Sequence, residues 1–417
     1  MQLNNLAEVR DFDIEECINH LEMLHKDSKG YITISSKDPN YKQWHYKSED
    51  IIDNAEDILN IINAYVSQNT FYKPQRRIEN IKELRTIYID IDCHKTKYSK
   101  EAVKYFLEKD FYGTKIPQPN FLIDSGRGLY LIWLLKSVPS KALPLWKAIE
   151  EYLYSVLKTF GADRQALDPT RVLRVPGSIN SKSRTTVKII DQYDYIYDLR
   201  EIQKEFLPEL EERKSKKKGK PKKIRYIHME RSLYYARIQD IIKLCELREY
   251  DLKGHRELIL FLYRYYLCYF LEDTKKALED VLELNREFRE PLRETEVIRA
   301  TRSAERVYLS KDKDYRYKNE TLIELLLITE LEETHMSTII SDKEFKRRKN
   351  IRNKKAYEEK LRADGKVSEK DKIAERRAKI KDLLAEGLKQ KDICLQLNIS
   401  KDTYIRDRKY LKEQGLI

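Results

Sequence analysis

Paired cysteines, clustered histidines and long apolar runs are all missing from this 417-residue sequence. Its five cysteines (Cys17, Cys93, Cys245, Cys268 and Cys394) lie far apart. That spacing argues against a zinc site or disulfide framework and favours buried, reduced thiols. The seven histidines (His20, His25, His45, His94, His228, His255 and His335) stand singly, so the histidine-held metal of a rolling-circle nicking enzyme has no counterpart. A GxxxxGK[ST] phosphate loop is absent too, which disfavours a helicase. No run approaches the roughly 20 apolar residues of a membrane helix. The opening MQLNNLAEVRDFDIEE lacks a signal peptide's basic start and apolar middle. A soluble, cytoplasmic protein without a membrane partner is therefore expected.

What is present is charge on a globular background. Charged residues make up 36% and hydrophobic ones 41%, and 29 residues are tyrosine. The 82 basic and 70 acidic residues leave a net charge of +12. This balance favours a polyanionic partner without saying which, since nucleic acid, ribosome and membrane surface all fit. The length suggests two or three domains. Composition shifts at 213–225, with nine Lys or Arg and no acid, and at 346–355, with seven basic residues in ten. Each run reads either as a solvated linker or helix face or as a phosphate contact.

Before the first shift the pattern mixes strands and helices. GYITIS (30–35), TIYIDID (86–92), FLID (121–124), LYLIWLL (129–135), RVLRV (171–175) and TTVKII (185–190) read as strands. A helix is expected from a Ser140 cap to about Phe160, with Pro144 in its first turn and Gly161 ending it. Residues 228–310 carry only helical patterns, and the last fifty residues form another helical unit.

In TIYIDID, Asp90 and Asp92 are two apart on an apolar strand and so share a face. Two such charges repel unless a cation lies between them; an exposed edge strand is the plain alternative. GADRQALDPTRVLRVPGSINSK (161–182) adds Asp163 and Asp168, then Arg171, Arg174 and Lys182. Arg171 and Arg174 are three apart and would face opposite sides of a strand, one reaching the site and the other supporting it. Carboxylates for a divalent metal beside basic groups for phosphates are what nucleotidyl transfer requires. For Asp168-Pro169 a turn start is the competing reading, and for Asp163 a cap or turn. Ser125-Gly126-Arg127-Gly128 reads either as a hairpin turn or as a backbone phosphate cradle with Arg127 at hand.

Together these segments resemble the archaeo-eukaryotic primase superfamily, specifically the primase-polymerase modules of plasmid and mobile-element replication proteins. TIYIDID is similar to the first motif, whose acids bind the catalytic metals, here Asp90 and Asp92. DSGRGLYLIW is similar to the second, which contacts the nucleotide triphosphate through Ser125, Arg127 and Tyr130. Tyr130 stands where the family often has histidine, and it supplies a hydrogen-bond donor without positive charge. The 161–182 segment is similar to the third region, implying Asp163 as third metal ligand with Asp168 in reserve, and Arg171, Arg174 and Lys182 at the nucleotide. Residues 254–307 resemble the helical domain that follows such modules, through Gly254, Arg256, Asn285, Pro291-Leu292 and Glu296-Val297; a plain helical bundle is the alternative. YVSQNTFYKPQRR (65–77) resembles the lead-in, which would put Asn69, Phe71 and Arg77 near primer or template.

The C-terminal residues 373–411 read as a helix-turn-helix. Ile373, Ile380, Leu383 and Leu384 line a first helix ending at Gly387, Ile393 and Leu397 a second, and Ser400 caps a third. The last would present Lys401, Thr403, Tyr404, Arg406, Arg408 and Lys409 to duplex DNA; a protein-interaction module is the other reading.

The resemblance thus implies an α+β protein: an RRM-like primase-polymerase core followed by an all-α bundle and a helix-turn-helix. Expected boundaries are 1–210 for the catalytic domain, 211–226 for a basic linker, 227–312 for the helical domain, 313–368 for a charged connector and 369–417 for the DNA reader. The implied activity is primer synthesis or extension on single-stranded DNA, with Mg²⁺ or Mn²⁺ and nucleoside triphosphates. Origin duplex DNA and a host or replicon helicase are the implied partners. The contrasting class is a non-catalytic initiator that binds DNA and recruits host enzymes.

Overall fold

The structure, a computed structural model, describes residues 13–37, 40–207, 223–310, 315, 317–364 and 368–417. The basic run at 213–225 and the linker at 211–226 therefore lie largely outside the described residues. The chain divides into two compact units, residues 1–339 and 340–417.

The first unit is built on a mixed α+β layer. Its strands are β1 (Tyr31–Ser36), β2 (Lys42–Lys47), β3 (Tyr65–Ser67), β4 (Thr70–Phe71), β5 (Ile81–Ile91), β6 (Phe121–Asp124), β7 (Leu129–Pro139), β8 (Val172–Arg174), β9 (Ile179–Asn180), β10 (Thr185–Thr186) and β11 (Lys188–Gln192). The main sheet runs β11-β6-β7-β5-β4-β1-β3-β8, with β2 on β1, while β9 and β10 form a separate hairpin. Each of these ladders is antiparallel. Two eleven-residue strands, β5 and β7, make the spine, from Glu83 opposite Pro139 to Ile91 opposite Leu129. Their Ile, Leu and Trp side chains are almost completely buried, as expected for a strand covered on both faces.

The helices that brace this sheet are α1 (Ile14–His25), α2 (Ala55–Leu59), α3 (Lys100–Phe106), α4 (Leu143–Leu157) and α5 (Leu199–Phe206). Asp13 caps α1 through the Glu16 N–H. Helix α4 packs on β5 and buries Leu145, Trp146, Ile149, Leu153 and Leu157. Ser140 is not its cap, contrary to expectation. A 3₁₀ turn spans Ser140–Ala142, the α-helix starts at Leu143, and the Ser140 side chain pairs with Tyr235 instead. Pro144 sits in the first turn, where no N–H is missed. Gly161 closes the segment at φ +93, a conformation open to glycine. TTVKII is two strands rather than one. Val187 leaves the ladder to exchange bonds with Ser178 and Gly177, so β10 ends before β11 begins.

Helices α6 (Lys223–Leu247), α7 (Arg256–Leu271), α8 (Thr274–Glu287) and α9 (Glu294–Ser310) form a bundle, followed by α10 (Asn319–Leu326) and α11 (Glu330–His335). Helix α7 is its centre, packed by α6, α8 and α9 and buried along almost its whole length. Charged and polar bonds tie the bundle to the sheet. Arg231 reaches Glu151 and Glu272, Arg77 reaches Glu79 and Glu287, and the Tyr263 hydroxyl donates to Glu79.

The second unit contains α12 (Asp342–Ala363), α13 (Glu369–Ala385), α14 (Gln390–Gln396) and α15 (Lys401–Glu413). The expected connector 313–368 is thus shared, α10 and α11 lying in the first unit and α12 in the second. Ile380, Leu383, Ile393, Tyr404 and Leu411 form the small core of the last three helices, and Ser400 caps α15 through the Thr403 N–H. No helix among the described residues is long and apolar enough to cross a membrane.

Candidate functional site

β5 has a strand neighbour on both sides only over its first residues. Beyond β4, one edge would expose main-chain N–H and C=O groups, which must find partners elsewhere. Helix α4 supplies two: Trp146 Nε1 donates to the Thr86 carbonyl at 2.6 Å, and the Tyr88 N–H donates to Glu150 Oε1 at 2.8 Å. Asn69 Oδ1 takes the Arg85 N–H, and the chain leaving α4 supplies two more. The Asp163 N–H donates to the Asp90 carbonyl at 2.8 Å, and the Asp92 N–H donates to the Gly161 carbonyl at 2.9 Å. The edge that needed closing therefore brings a third acid beside the first two by main-chain pairing.

The strand itself stops at Ile91, so Asp92 is the first residue beyond it and opens a 3₁₀ turn at 93–95. Gly128 makes this crossing possible: a Cβ there would lie 2.2 Å from the Ile91 carbonyl oxygen. Asp90 is half-buried and faces Tyr130 across the ladder. Loss of hydration pushes its carboxyl up to about 7; Arg171 opposes this, while the charges of Asp92 and Asp163 reinforce it. Asp92 is gripped by Lys95, with His94 Nδ1 at 3.7 Å. Asp163 Oδ1 accepts from the Gln165 N–H, and its other oxygen is 3.8 Å from Arg171 Nη2.

Among the described residues no three His, Cys, Asp or Glu side chains converge closely enough to hold a metal. The donor set still suits one kind of ion. Hard carboxylate oxygens, one on a group whose ionised form is disfavoured as it stands, offer a partial shell for Mg²⁺ or Mn²⁺. Mg²⁺ sites commonly take one or two carboxylates and complete themselves with water and substrate phosphates.

Basic groups stand around these acids. Arg171, just before β8, serves Asp163 and acts on Asp90. Arg174 is buried, stacks 4.7 Å above the Tyr65 ring and donates to Asn63 Oδ1 at 2.8 Å. The two arginines thus divide their work: Arg171 reaches the acids and Arg174 is held behind them. Arg127 is exposed on the glycine turn, and its charge acts on Tyr65 together with those of Arg171 and Arg174. Ser125 is buried, with its N–H on the Gly128 carbonyl and its own carbonyl accepting from Asn180 Nδ2. The turn is consequently both a hairpin connection and part of the site's wall. Tyr130 is buried, and loss of hydration followed by Asp90 keeps its phenol neutral. Lys182 is exposed on the 181–184 turn, its N–H on Asn180 Oδ1.

Some expected residues lie elsewhere. Asp168 is spent on a turn: its carboxylate accepts from the Thr170 N–H at 2.9 Å and hydroxyl at 2.8 Å. Although burial acts to raise it, Lys276, Arg76 and Thr170 hold this carboxyl below its ordinary value. Asn69, Phe71 and Arg77 are buried and cannot touch a strand of nucleic acid. Asn69 bonds the Pro169 carbonyl and the Arg85 N–H, and Arg77 pairs with Glu79 and Glu287. On α15, Tyr404 is 2% exposed and belongs to the core, so it is withdrawn from the surface expected to meet DNA. Lys401, Arg406, Arg408 and Lys409 are exposed, while Thr403 is half-buried and bonded to Ser400. The sequence reading missed Lys95, Asn180 and Tyr65. Lys95, three residues after Asp92, was within reach of a spacing argument; the other two arrive only through the fold.

No family model matches the chain. A replication protein of Clostridium perfringens is 61% identical over 402 residues, covering 96% of this chain and 98% of that protein. Among solved structures, the archaeo-eukaryotic primase domain of the cyanophage S-2L primase-polymerase is 16% identical. It covers 47% of this chain and 99% of its own, at a TM-score of 0.36. The primase RepB′ is 10% identical and covers 71% and 100%, at 0.32. Its catalytic domain in complex with initiator DNA is 9% identical and covers 48% and 100%, also at 0.32.

Proposed function

Because this chain belongs to the replication-protein family represented by its Clostridium perfringens relative, we propose that it is a primase-polymerase that makes or extends primers on single-stranded DNA. The observation that carries this reading is the closure of the β5 edge, which sets Asp163 and Arg171 beside Asp90 and Asp92. The motif resemblance around 86–92, 125–130 and 161–182 supports it from the sequence side.

Asp90 and Asp92, with Asp163 beside them, would hold Mg²⁺ or Mn²⁺. Such an ion, when bound, offsets charge on the attacking and leaving oxygens of a nucleotidyl transfer. The chain's own groups act around it. Arg171, held by the Gln165 carbonyl and beside Asp163, limits repulsion among the acids and would offer its charge to a phosphate bound there. Arg127 and Lys182, both exposed, meet the triphosphate, and the Ser125–Gly128 turn lets backbone approach it. Arg174, fixed by Asn63 and Tyr65, supplies a stationary positive field. Tyr130 offers a neutral phenol where a charged donor would grip harder, so binding of the triphosphate leans on Arg127. The exposed basic face of α15 would hold duplex DNA at an origin, and a helicase would come from the host or replicon.

Primer synthesis on single-stranded DNA with labelled ribo- and deoxynucleotides, with Mg²⁺ or Mn²⁺, tests the reading. Wild type should incorporate label and the Asp90→Ala/Asp92→Ala chain should lose all of it. Equal incorporation by both would sink the metal assignment. A second reading, a DNA-binding initiator without catalysis, draws on the Lys95 grip on Asp92. It gains if wild type incorporates nothing with either ion yet still binds origin DNA.

A further inference from the structure

A cleft of about 1000 Å³ opens within the first unit, between the β7–α4 turn, α5 and α6. It lies far from the acids. Its wall includes Ser140 and Lys141, which follow Pro139, and Pro139 faces Glu83 at the opposite end of the β5–β7 ladder from Asp90. At about 3.3 Å per residue, the strand between Glu83 and Asp90 separates the two places by roughly 20 Å.

Three cations line this cleft: Lys141 from the turn, and Arg200 and Lys204 from α5. Arg200 and Lys204 are one helical turn apart and so share a face. All three are exposed, and among the described residues none of their side chains has a carboxylate in ion-pair reach; the Arg200 guanidinium donates to the Gln203 amide oxygen, and its main-chain N–H donates to the Asp198 cap. The acid in the lining, Glu79, is already engaged by Arg77 at 3.0 Å and by the Tyr263 hydroxyl at 2.9 Å. Among the described residues, the cleft therefore carries positive charge without a carboxylate partner, in a hollow of ligand size. Two aromatic rings accompany it, Tyr72 at the rim, 58% exposed, and the buried Tyr235. Cations for phosphates beside rings for bases are the chemistry by which single strands and nucleotides are held.

We propose that this cleft is a second phosphate-binding site, separate from the acids, which holds a nucleotide unit. That unit comes either from the phosphodiester of a single strand or from a free nucleoside triphosphate. Lys141, Arg200 and Lys204 take the phosphates, and Tyr72 stacks on a base.

The test uses the full chain with Lys141→Gln/Arg200→Gln/Lys204→Gln, Tyr72→Ala as a second variant, and thermal midpoints as the folding control. Binding of a fluorescein-labelled oligothymidylate and of ATP is measured across a salt series. If the source is a strand, the triple variant binds the oligomer at least about tenfold more weakly. Its log–log salt slope also becomes shallower by about 2, since three phosphates are no longer neutralised at about 0.7 each. Tyr72→Ala weakens oligomer binding with the slope unchanged. If the source is a free nucleotide, ATP binding falls in both variants while oligomer binding holds. Unchanged affinities for both ligands in folded variants overturn the proposal. The same measurements on Asp90→Asn/Asp92→Asn keep the outcomes apart, since loss of catalysis there leaves the cleft's binding intact.

Discussion

His20 is fully buried, with neither ring nitrogen bonded among the described residues and its ring set edge-on to Phe121 at 5.0 Å. His25 is equally buried and donates from Nε2 to the Ser67 carbonyl. Burial pushes both imidazoles down to about 3, with Arg85 adding to the effect on His25. In the unfolded chain each titrates near 6.5. Between pH 6.5 and 3 the unfolded state therefore binds protons that the folded state refuses. Stability falls as pH falls through that window, at up to about 1.4 kcal/mol per pH unit for each ring, and is untouched above it. Urea midpoints at about pH 7.5 and about pH 5.5, on either side of the unfolded value, check this: His20→Leu should show a smaller drop between the two than wild type. An equal drop in both proteins would mean that His20 is not neutral in the fold. Spacing in the sequence located His20 and His25 only as isolated histidines. Their burial depends on what α1 lies against, which no local pattern encodes.

At the scale of elements, the relation between β5 and α4 matters most. Glu150 is fully buried, its carboxyl raised well above the ordinary range by lost hydration, and it accepts the Tyr88 N–H. Glu150→Leu leaves that N–H unpaired and should cost about 1–3 kcal/mol in chemical denaturation. Glu150→Gln keeps an acceptor in the same place and should cost much less. Similar losses for the two would show that the bond to Tyr88 is not what Glu150 contributes. TIYIDID and LYLIWLL were legible as strands because their β-branched and aromatic residues run unbroken between turn residues. The helix from 143 was legible from its apolar face. The closure of the strand edge was not, because it depends on Trp146, Glu150 and Gly161 meeting β5 across a long intervening stretch of chain. Tyr404 failed for a related reason. Its helix offers Arg and Lys on one face and packs the other, and a tyrosine fits either face until Ile380 and Ile393 are placed beside it.

For the whole molecule, the net charge of +12 is unevenly shared: residues 340–417 hold 24 Lys or Arg against 14 Asp or Glu, a net +10, which leaves +2 for residues 1–339. On α15, Lys401, Arg406, Arg408 and Lys409 are exposed, while Asp407 is turned inward and held by Arg376 at 2.7 Å and Arg377 at 2.8 Å. The acid that would repel a phosphate from the middle of that helix is thereby neutralised. Replacing the four basic residues by glutamine should weaken duplex binding and flatten its salt slope by about 3–4, at about 0.9 for each phosphate left without its cation. Primer extension on a single strand should continue. An unaltered slope would move duplex binding away from α15. The basic character was plain from composition alone; which of those charges are already neutralised was not, since ion pairs such as Arg231 with Glu151 and Glu272 join residues distant in the chain.

The edge of β5 also sets an order of events. A chain emerging from the ribosome completes Asp90 and Asp92 long before Gly161, Asp163 and Arg171 exist to flank them. Until α4 has formed and folded back, the strand carries bare amides and two acids without their arginine. If these acids serve a nucleotide as proposed, an unfinished copy would be unable to grip a triphosphate, and the competence of the site would report that this edge of the sheet has closed.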